Sequence, residues 1–200
     1  MMKIFSISLA ALAFFGCCIL SGCMVKSETL TAMLNAAEAL RLRDYKMFEK
    51  YVDLDALLAQ SVDLTVDEVQ RHGGKWPPIL EDATAFAKPI IIKETRKAFE
   101  MAVKTGTLNK AAGMNQLPSL ELLGKMVGLF GAPQAQANYE IKDVQTAADG
   151  ELLKINVKTN KNDPWLPLQI RSKKEGDHYR IVKIENLGEV YKQIMNQIID

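Results

Sequence analysis

The sequence predicts an α+β fold in which helices come first and a four-stranded antiparallel sheet follows. Over residues 27–132, apolar side chains recur three and four positions apart, as in helices. Over residues 138–185 they alternate with polar ones, as in half-buried strands. A further helical stripe covers residues 187–199. We therefore expect a single domain over residues 27–200, with a final amphipathic helix packed on it.

Residues 1–22 have the layout of a secretory signal peptide. Lys3 supplies a positive charge, an apolar run extends from Ile4 to Leu20, and small residues follow it. The sequence Leu20-Ser21-Gly22-Cys23 resembles a bacterial lipobox. The resemblance implies that Leu20, Ser21 and Gly22 are recognised by the signal peptidase, and that diacylglycerol is attached to the Cys23 sulfur as a thioether.

Two other cysteines test this assignment. Neither Cys17 nor Cys18 has both an aliphatic residue three positions before it and a small residue two positions before it. Cys23 alone fits the pattern, and no cysteine follows it, so neither a disulfide nor a zinc-thiolate site is expected in the mature chain. An uncleaved transmembrane anchor is the alternative interpretation of this apolar run.

A lipidated Cys23 predicts permanent attachment to a membrane, because two or three acyl chains do not dissociate. In bacteria with two membranes, an aspartate after the cysteine favours the inner membrane. Met24 stands at that position, which favours the outer membrane and a domain in the periplasm. In a bacterium with one membrane, the anchor is the cell membrane. Residues 23–26 form a tether of about 15 Å at most.

Four helical segments are predicted from apolar spacing and caps. Ser27 and Asp53 are candidate N-caps of the first and third, and a second begins near Asp44. The sequence His72-Gly73-Gly74-Lys75 then interrupts the helical spacing of apolar residues. A fourth helix begins at Pro77 or Pro78 and ends at Thr105-Gly106, with a kink or break expected at Pro89. The weakly charged residues 119–130 are interpreted as a buried helix, with a lid or a membrane-facing element as the alternative.

Four strands are predicted over residues 139–146, 153–157, 166–170 and 178–184, and turn residues separate them. Trp165 lies on the polar side of the third predicted strand, so we interpret it as a candidate contact surface. The alternative is an edge aromatic that packs on the sheet or on the C-terminal helix. For that helix, a dimer contact is the alternative to packing on its own domain.

Helices followed by a curved meander make the chain similar to the cystatin-like and nuclear-transport-factor-like folds, in which helices close a cone formed by the sheet. The sequences 39–45, 51–57 and 179–184 resemble an uncharacterised family of bacterial envelope proteins with a leading membrane anchor. These motifs concern packing and capping. The resemblance implies a fold and an envelope location, and it implies no activity.

The residues with catalytic potential form no convincing set. Asp53 and Asp55 could divide acid and base roles, but an N-cap explains Asp53 better. We expect His72 in a glycine loop and His178 at a strand edge to be solvated, without metal-ligand spacing. No metal or cofactor is expected. Without Lys3, the basic side chains equal the 24 acidic ones in number, which disfavours nucleic-acid binding.

The leading hypothesis is a non-enzymatic envelope lipoprotein that binds a partner protein or an apolar ligand in its helix-covered sheet. The first alternative is a small pocket enzyme on the same cone, a hydrolase, isomerase or dehydratase, by analogy of fold alone. The second is a structural component of the envelope.

Overall fold

The predicted order of helices and strands is confirmed by a computed structural model, which describes residues 27–73, 78–107, 138–158 and 164–199. The helices are α1 (Glu28–Arg41), α2 (Tyr45–Tyr51), α3 (Leu54–Gly73), α4 (Pro78–Thr105) and α5 (Leu187–Ile199). The strands are β1 (Asn138–Ala147), β2 (Gly150–Lys158), β3 (Leu166–Glu175) and β4 (His178–Ile184). The predicted helix over residues 119–130 lies outside the described residues, as do residues 1–26.

Side-chain caps begin the first three helices at the predicted positions. The Ser27 hydroxyl accepts a hydrogen bond from the backbone N–H of Leu30 at 3.0 Å. Asp44 caps α2, and the Asp53 carboxylate caps α3 by accepting from a backbone N–H three residues later, at 2.9 and 3.0 Å respectively. Each cap satisfies a donor that the first helical turn leaves without a backbone partner.

The third helix ends at Gly73, within the predicted interruption at residues 72–75, but His72 belongs to its last turn rather than to a glycine loop. A break at Pro89 is not found, because α4 continues as one helix past it, and the kink expected as the other outcome stays a prediction. Because Pro89 is exposed, water can hydrate the carbonyl that loses its backbone donor there.

The sheet is an antiparallel meander in the order β1-β2-β3-β4, as predicted. Bulges interrupt the register between Ile141 and Asp143 and between Arg171 and Ser172. The β1–β2 and β3–β4 turns, at residues 148–149 and 176–177, lie at the same end of the sheet, which we call the turn end. A Cβ atom at Gly150 would lie 2.0 Å from the carbonyl oxygen of Ser172. The close approach of β2 to β3 at this position therefore requires glycine.

One face of the sheet is covered by helices and forms the core. The side chains there are almost fully inaccessible to water, and they pack against small and aromatic residues of α1 and α2. The α5 helix packs on β3 as expected, burying Leu187 and Val190. The largest fully buried side chains are Phe48, Leu153, Ile155, Leu168, Ile170, Ile181, Ile184, Val103 and Val190.

Candidate functional site

A buried carboxylate holds the start of α1 against the turn end of the sheet. Glu151, the second residue of β2, is only 4% exposed. Its carboxylate accepts hydrogen bonds from the Ser27 hydroxyl and from the backbone N–H groups of Glu28 and Thr29, the latter two at 3.3 and 3.1 Å. The negative charge therefore lies at the positive end of the α1 dipole. We call Ser27, Thr29, Glu151 and Ser172 the Glu151 clamp.

The hydroxyl groups of the Glu151 clamp are all engaged. Thr29 Oγ1 lies 2.6 Å from Ser172 Oγ, and Ser172 Oγ donates to the backbone carbonyl of Glu151 at 3.5 Å. Ser27 donates to the carboxylate and accepts from Leu30. Each hydroxyl therefore has a partner, and no free nucleophile or base faces solvent from this cluster. The arrangement joins the start of α1 to β2 and β3.

Sequence reasoning did not identify Glu151, although a signal for it exists. Glu151 is in phase with Leu153, Ile155 and Val157, and so it shares the buried face of β2. An acidic residue in phase with an apolar strand face needs a buried partner. The predicted N-cap at Ser27 supplies that partner.

The predicted acidic pair does not converge. Asp53 caps α3, whereas the Asp55 carboxylate accepts a hydrogen bond from Arg96 at 2.9 Å. Arg96 also donates to Glu49 and, at 3.2 Å, to the Tyr45 hydroxyl. We call Tyr45, Glu49, Asp55 and Arg96 the Arg96 cluster. It fastens α4 to α2 and α3.

Burial raises the pKa of Tyr45 to about 12, and the hydrogen bond from Arg96 opposes this rise only in part. The phenol is therefore neutral at physiological pH and does not act as a base. The Tyr45 ring packs with Phe48 and Phe99, whose ring centroids lie 6.4 and 6.3 Å away. The position of Tyr45 is thus fixed by packing between helices.

The two histidines lie in different secondary-structure elements. His72 lies in α3, whereas His178 begins β4. The side chain of His178 is 20% exposed, packs edge-on against the Tyr51 ring at 5.8 Å and lies 3.0 Å from the Asp177 carboxylate. The expectation that His178 is solvated is therefore wrong, because α2 covers it. The hydrogen bond with His178 lowers the pKa of Asp177. Among the residues described, no three His, Cys, Asp or Glu side chains come together as a metal site.

Trp165 lies immediately before β3, and its role as a contact surface stays a prediction. Its side chain is 40% exposed. The Lys158 ammonium lies 4.5 Å from the ring centroid, and the Trp165 carbonyl accepts a hydrogen bond from Gln193 of α5 at 2.9 Å. Trp165 thus connects to the C-terminal helix through its backbone while one ring face contacts a cation.

The most exposed large apolar side chains lie on one side of α4. Phe86 is 81% exposed, Ile90 64% and Met101 66%. Separations of four and eleven residues place them on one helical face. We call these three residues the α4 stripe. Phe86 and Ile90 lie one turn apart and are contiguous, whereas Met101 lies about 16 Å farther along the helix, beyond the exposed residues Lys93, Glu94 and Lys97. Contiguous exposed apolar patches are typical of protein contact sites.

The α4 stripe begins far from the Glu151 clamp. The backbone N–H of Asp53 donates to Ile181 at 2.8 Å, and Gln60 accepts from the N–H of Ile184, so α3 runs along β4 away from the turn end. Lys88 of α4 then pairs with Asp63, farther along α3, at 2.6 Å. Phe86 and Ile90 flank Lys88, and they therefore lie toward the opposite end of the domain.

Cys23 and the predicted recognition residues Leu20, Ser21 and Gly22 precede the described part of the chain. Within residues 27–73, 78–107, 138–158 and 164–199, none of the helices combines the length and the apolar character needed to cross a bilayer. Comparisons with protein-family models, with curated proteins and with solved structures find no match to this chain.

Proposed function

We propose that this protein is a non-enzymatic lipoprotein of the bacterial cell envelope that binds a partner protein through the α4 stripe. Acyl chains on Cys23 hold it to the outer membrane, or to the cell membrane where only one membrane exists. The observation that carries the proposal is the exposure of Phe86 and Ile90 together, at the end of the domain opposite the clamped N-terminus.

The packing of the sheet favours a partner protein over an apolar ligand inside the cone. Leu153 and Ile170 on the covered face have no accessible surface, and Ile155 has 1%. A cavity large enough for a ligand would leave accessible surface on the side chains that line it. The described part of the covered face is instead filled by α1 and α2. An apolar surface for binding is therefore found on the outside, along α4.

The enzyme alternative requires polar groups with free hydrogen-bonding capacity in a pocket. The two polar clusters that come closest are the Glu151 clamp and the Arg96 cluster. The donors and acceptors of the clamp are engaged with one another, and Arg96 is shared among three oxygen atoms. Both clusters hold secondary-structure elements together, and their polar groups are engaged with one another rather than free to act on a substrate. This favours the binding hypothesis over the enzyme alternative.

Site-specific photocrosslinking in intact cells of the source organism tests the proposal. A photoreactive amino acid at residue 90 is expected to crosslink one protein, and Phe86→Glu in the same chain is expected to abolish that product. The matched control places the photoreactive residue at Thr146, which is exposed on β1. Binding of the purified partner must then be lost in the Phe86→Glu variant.

Two outcomes would contradict partner binding. A photoreactive residue 90 that gives no product in cells would favour the structural alternative, which shares the anchor and needs no partner at α4. An apolar molecule that copurifies with the protein and is seen by native mass spectrometry would favour the ligand alternative instead.

A further inference from the structure

The start of α1 and the membrane anchor are separated by a very short stretch of chain. Ser27 is 3% exposed and is fixed to the turn end by its bond to the Glu151 carboxylate. Cys23 precedes it by four residues, which span about 15 Å at most when extended. The strands are longer than this tether, because the ten residues of β3 extend over roughly 33 Å.

We propose that the turn end of the sheet faces the bilayer and that Lys173 and Lys174 contact phosphate groups of the phospholipid headgroups there. This inference rests on the proposed lipidation of Cys23. It adds an orientation, because the clamp fixes the point at which the short tether enters the domain, at the turn end of the sheet.

Strand pairing places both lysines beside the clamp. Lys173 pairs with Gly150, and the backbone N–H of Lys174 donates to the carbonyl of Asp149 at 3.0 Å. Ser172, the residue before them, belongs to the clamp itself. Both lysines therefore lie within a few residues of the point where the tether enters the domain.

The charges at this position favour an anion. Both lysines are exposed, and neither forms an ion pair with a carboxylate in the part of the chain that the structure describes. Lys173 also pairs across the strands with Arg180, and like charges at paired positions repel each other. The Nε atom of Arg180 is buried without a hydrogen-bond partner among the described residues. A phosphate group would offset this repulsion.

The neighbouring acids equal the cations in number, since Asp149, Glu175 and Asp177 lie beside Lys173, Lys174 and Arg180 at the turn end. Glu175 lies 3.7 Å from Arg180, and Asp177 is engaged by His178. Asp149 is exposed at the tip of the β1–β2 turn. Because of these carboxylates, the lysines are expected to contact individual headgroup phosphates rather than to respond to the net negative charge of the membrane. Zwitterionic and anionic lipids both carry such phosphates.

Fluorescence quenching by spin-labelled lipids tests the orientation in the full lipidated chain. The mature chain has no cysteine after Cys23, whose sulfur is blocked by the lipid, so a single introduced cysteine can be labelled. Ala148→Cys places the fluorophore at the turn end, and Lys93→Cys places it on α4. Each protein is reconstituted in vesicles of phosphatidylcholine and phosphatidylglycerol after mass spectrometry has established lipidation of Cys23.

We expect strong quenching at residue 148 and weak quenching at residue 93. The double variant Lys173→Glu/Lys174→Glu should weaken quenching at residue 148, because the tether remains while the lysine contacts are lost. The control Lys93→Glu/Lys97→Glu, which reverses two exposed lysines of α4, should keep it. Circular dichroism establishes that both variants are folded.

Equal quenching at residues 148 and 93 would overturn the proposed orientation, since the domain would then lie flat or tumble. Full quenching at residue 148 in the Lys173→Glu/Lys174→Glu variant would overturn the lysine contact. An unlipidated Cys23 would instead refute the anchor on which the proposed function depends, and the mass spectrum detects that failure separately.

Discussion

Replacement of Glu151 tests the clamp between α1 and the sheet. Glu151→Ala removes a buried carboxylate that accepts from one hydroxyl and two backbone N–H groups. Hydrogen bonds to charged groups contribute about 1.5–3 kcal/mol each, but they are not additive, and each buried donor left without a partner costs about 1–3 kcal/mol. We expect a decrease of about 3–5 kcal/mol in the free energy of unfolding, a large part of the ~5–15 kcal/mol typical of a domain.

Glu151→Gln should cost less, about 1–2 kcal/mol, because the amide oxygen still accepts while the charge at the helix N-terminus is lost. Urea unfolding of the mature domain, followed by far-ultraviolet circular dichroism, measures both values. The control is Glu94→Ala, which removes an exposed carboxylate that lies 2.8 Å from Lys97. Such an exposed pair contributes little to stability, because water and salt screen the two charges.

A double-mutant cycle with Ser27→Ala isolates the contact itself. If Ser27 and Glu151 act together, the two changes should be non-additive by about 1 kcal/mol or more. If Glu151→Ala cost no more than Glu94→Ala, the clamp would not hold the helix, and the reasoning from burial and hydrogen bonding would be refuted.

Three further predictions concern packing and titration. Ile155→Ala, at a side chain 1% exposed, should lower the free energy of unfolding by about 2–5 kcal/mol in the same urea assay, and a cost below about 1 kcal/mol would contradict a filled core. Arg96→Met should destabilise the domain more than Lys97→Met, because Arg96 has three partners, and equal effects would argue against the Arg96 cluster. Tyr45 has a folded pKa of about 12, above its unfolded value near 10, so its contribution to stability is complete below about pH 10 and is lost as pH rises toward 12. Stability in Tyr45→Phe should therefore fall less steeply over that window, and an unchanged slope would contradict the burial of the phenol.

Much of the fold follows from local sequence signals. The alternation at Leu153, Ile155 and Val157 predicts both a strand and its buried face, and the structure confirms them. The caps at Asp44 and Asp53 were predictable because each carboxylate satisfies a backbone donor only three residues later. Interactions over short sequence distances therefore account for the success of these predictions.

The features that the sequence did not predict depend on tertiary contacts between residues far apart in the chain. Nothing local to His178 indicates that the Tyr51 ring packs against it from α2. In the Glu151 clamp, Glu151 binds residues at the start of α1 more than 120 positions away in the sequence. These contacts form only when α1 packs on the sheet, so no local pattern indicates them. Likewise, Pro89 suggests a break in α4, but its exposed position lets the helix continue.

The most direct test of the central claim is the mass of the N-terminal peptide of the protein purified from the membranes of its source. We predict a mature chain that begins at Cys23, carries a diacylglyceryl thioether on the sulfur, and loses membrane attachment in a Cys23→Ser variant. A chain that retains residues 1–22, or one whose Cys23 is unmodified, would contradict the account.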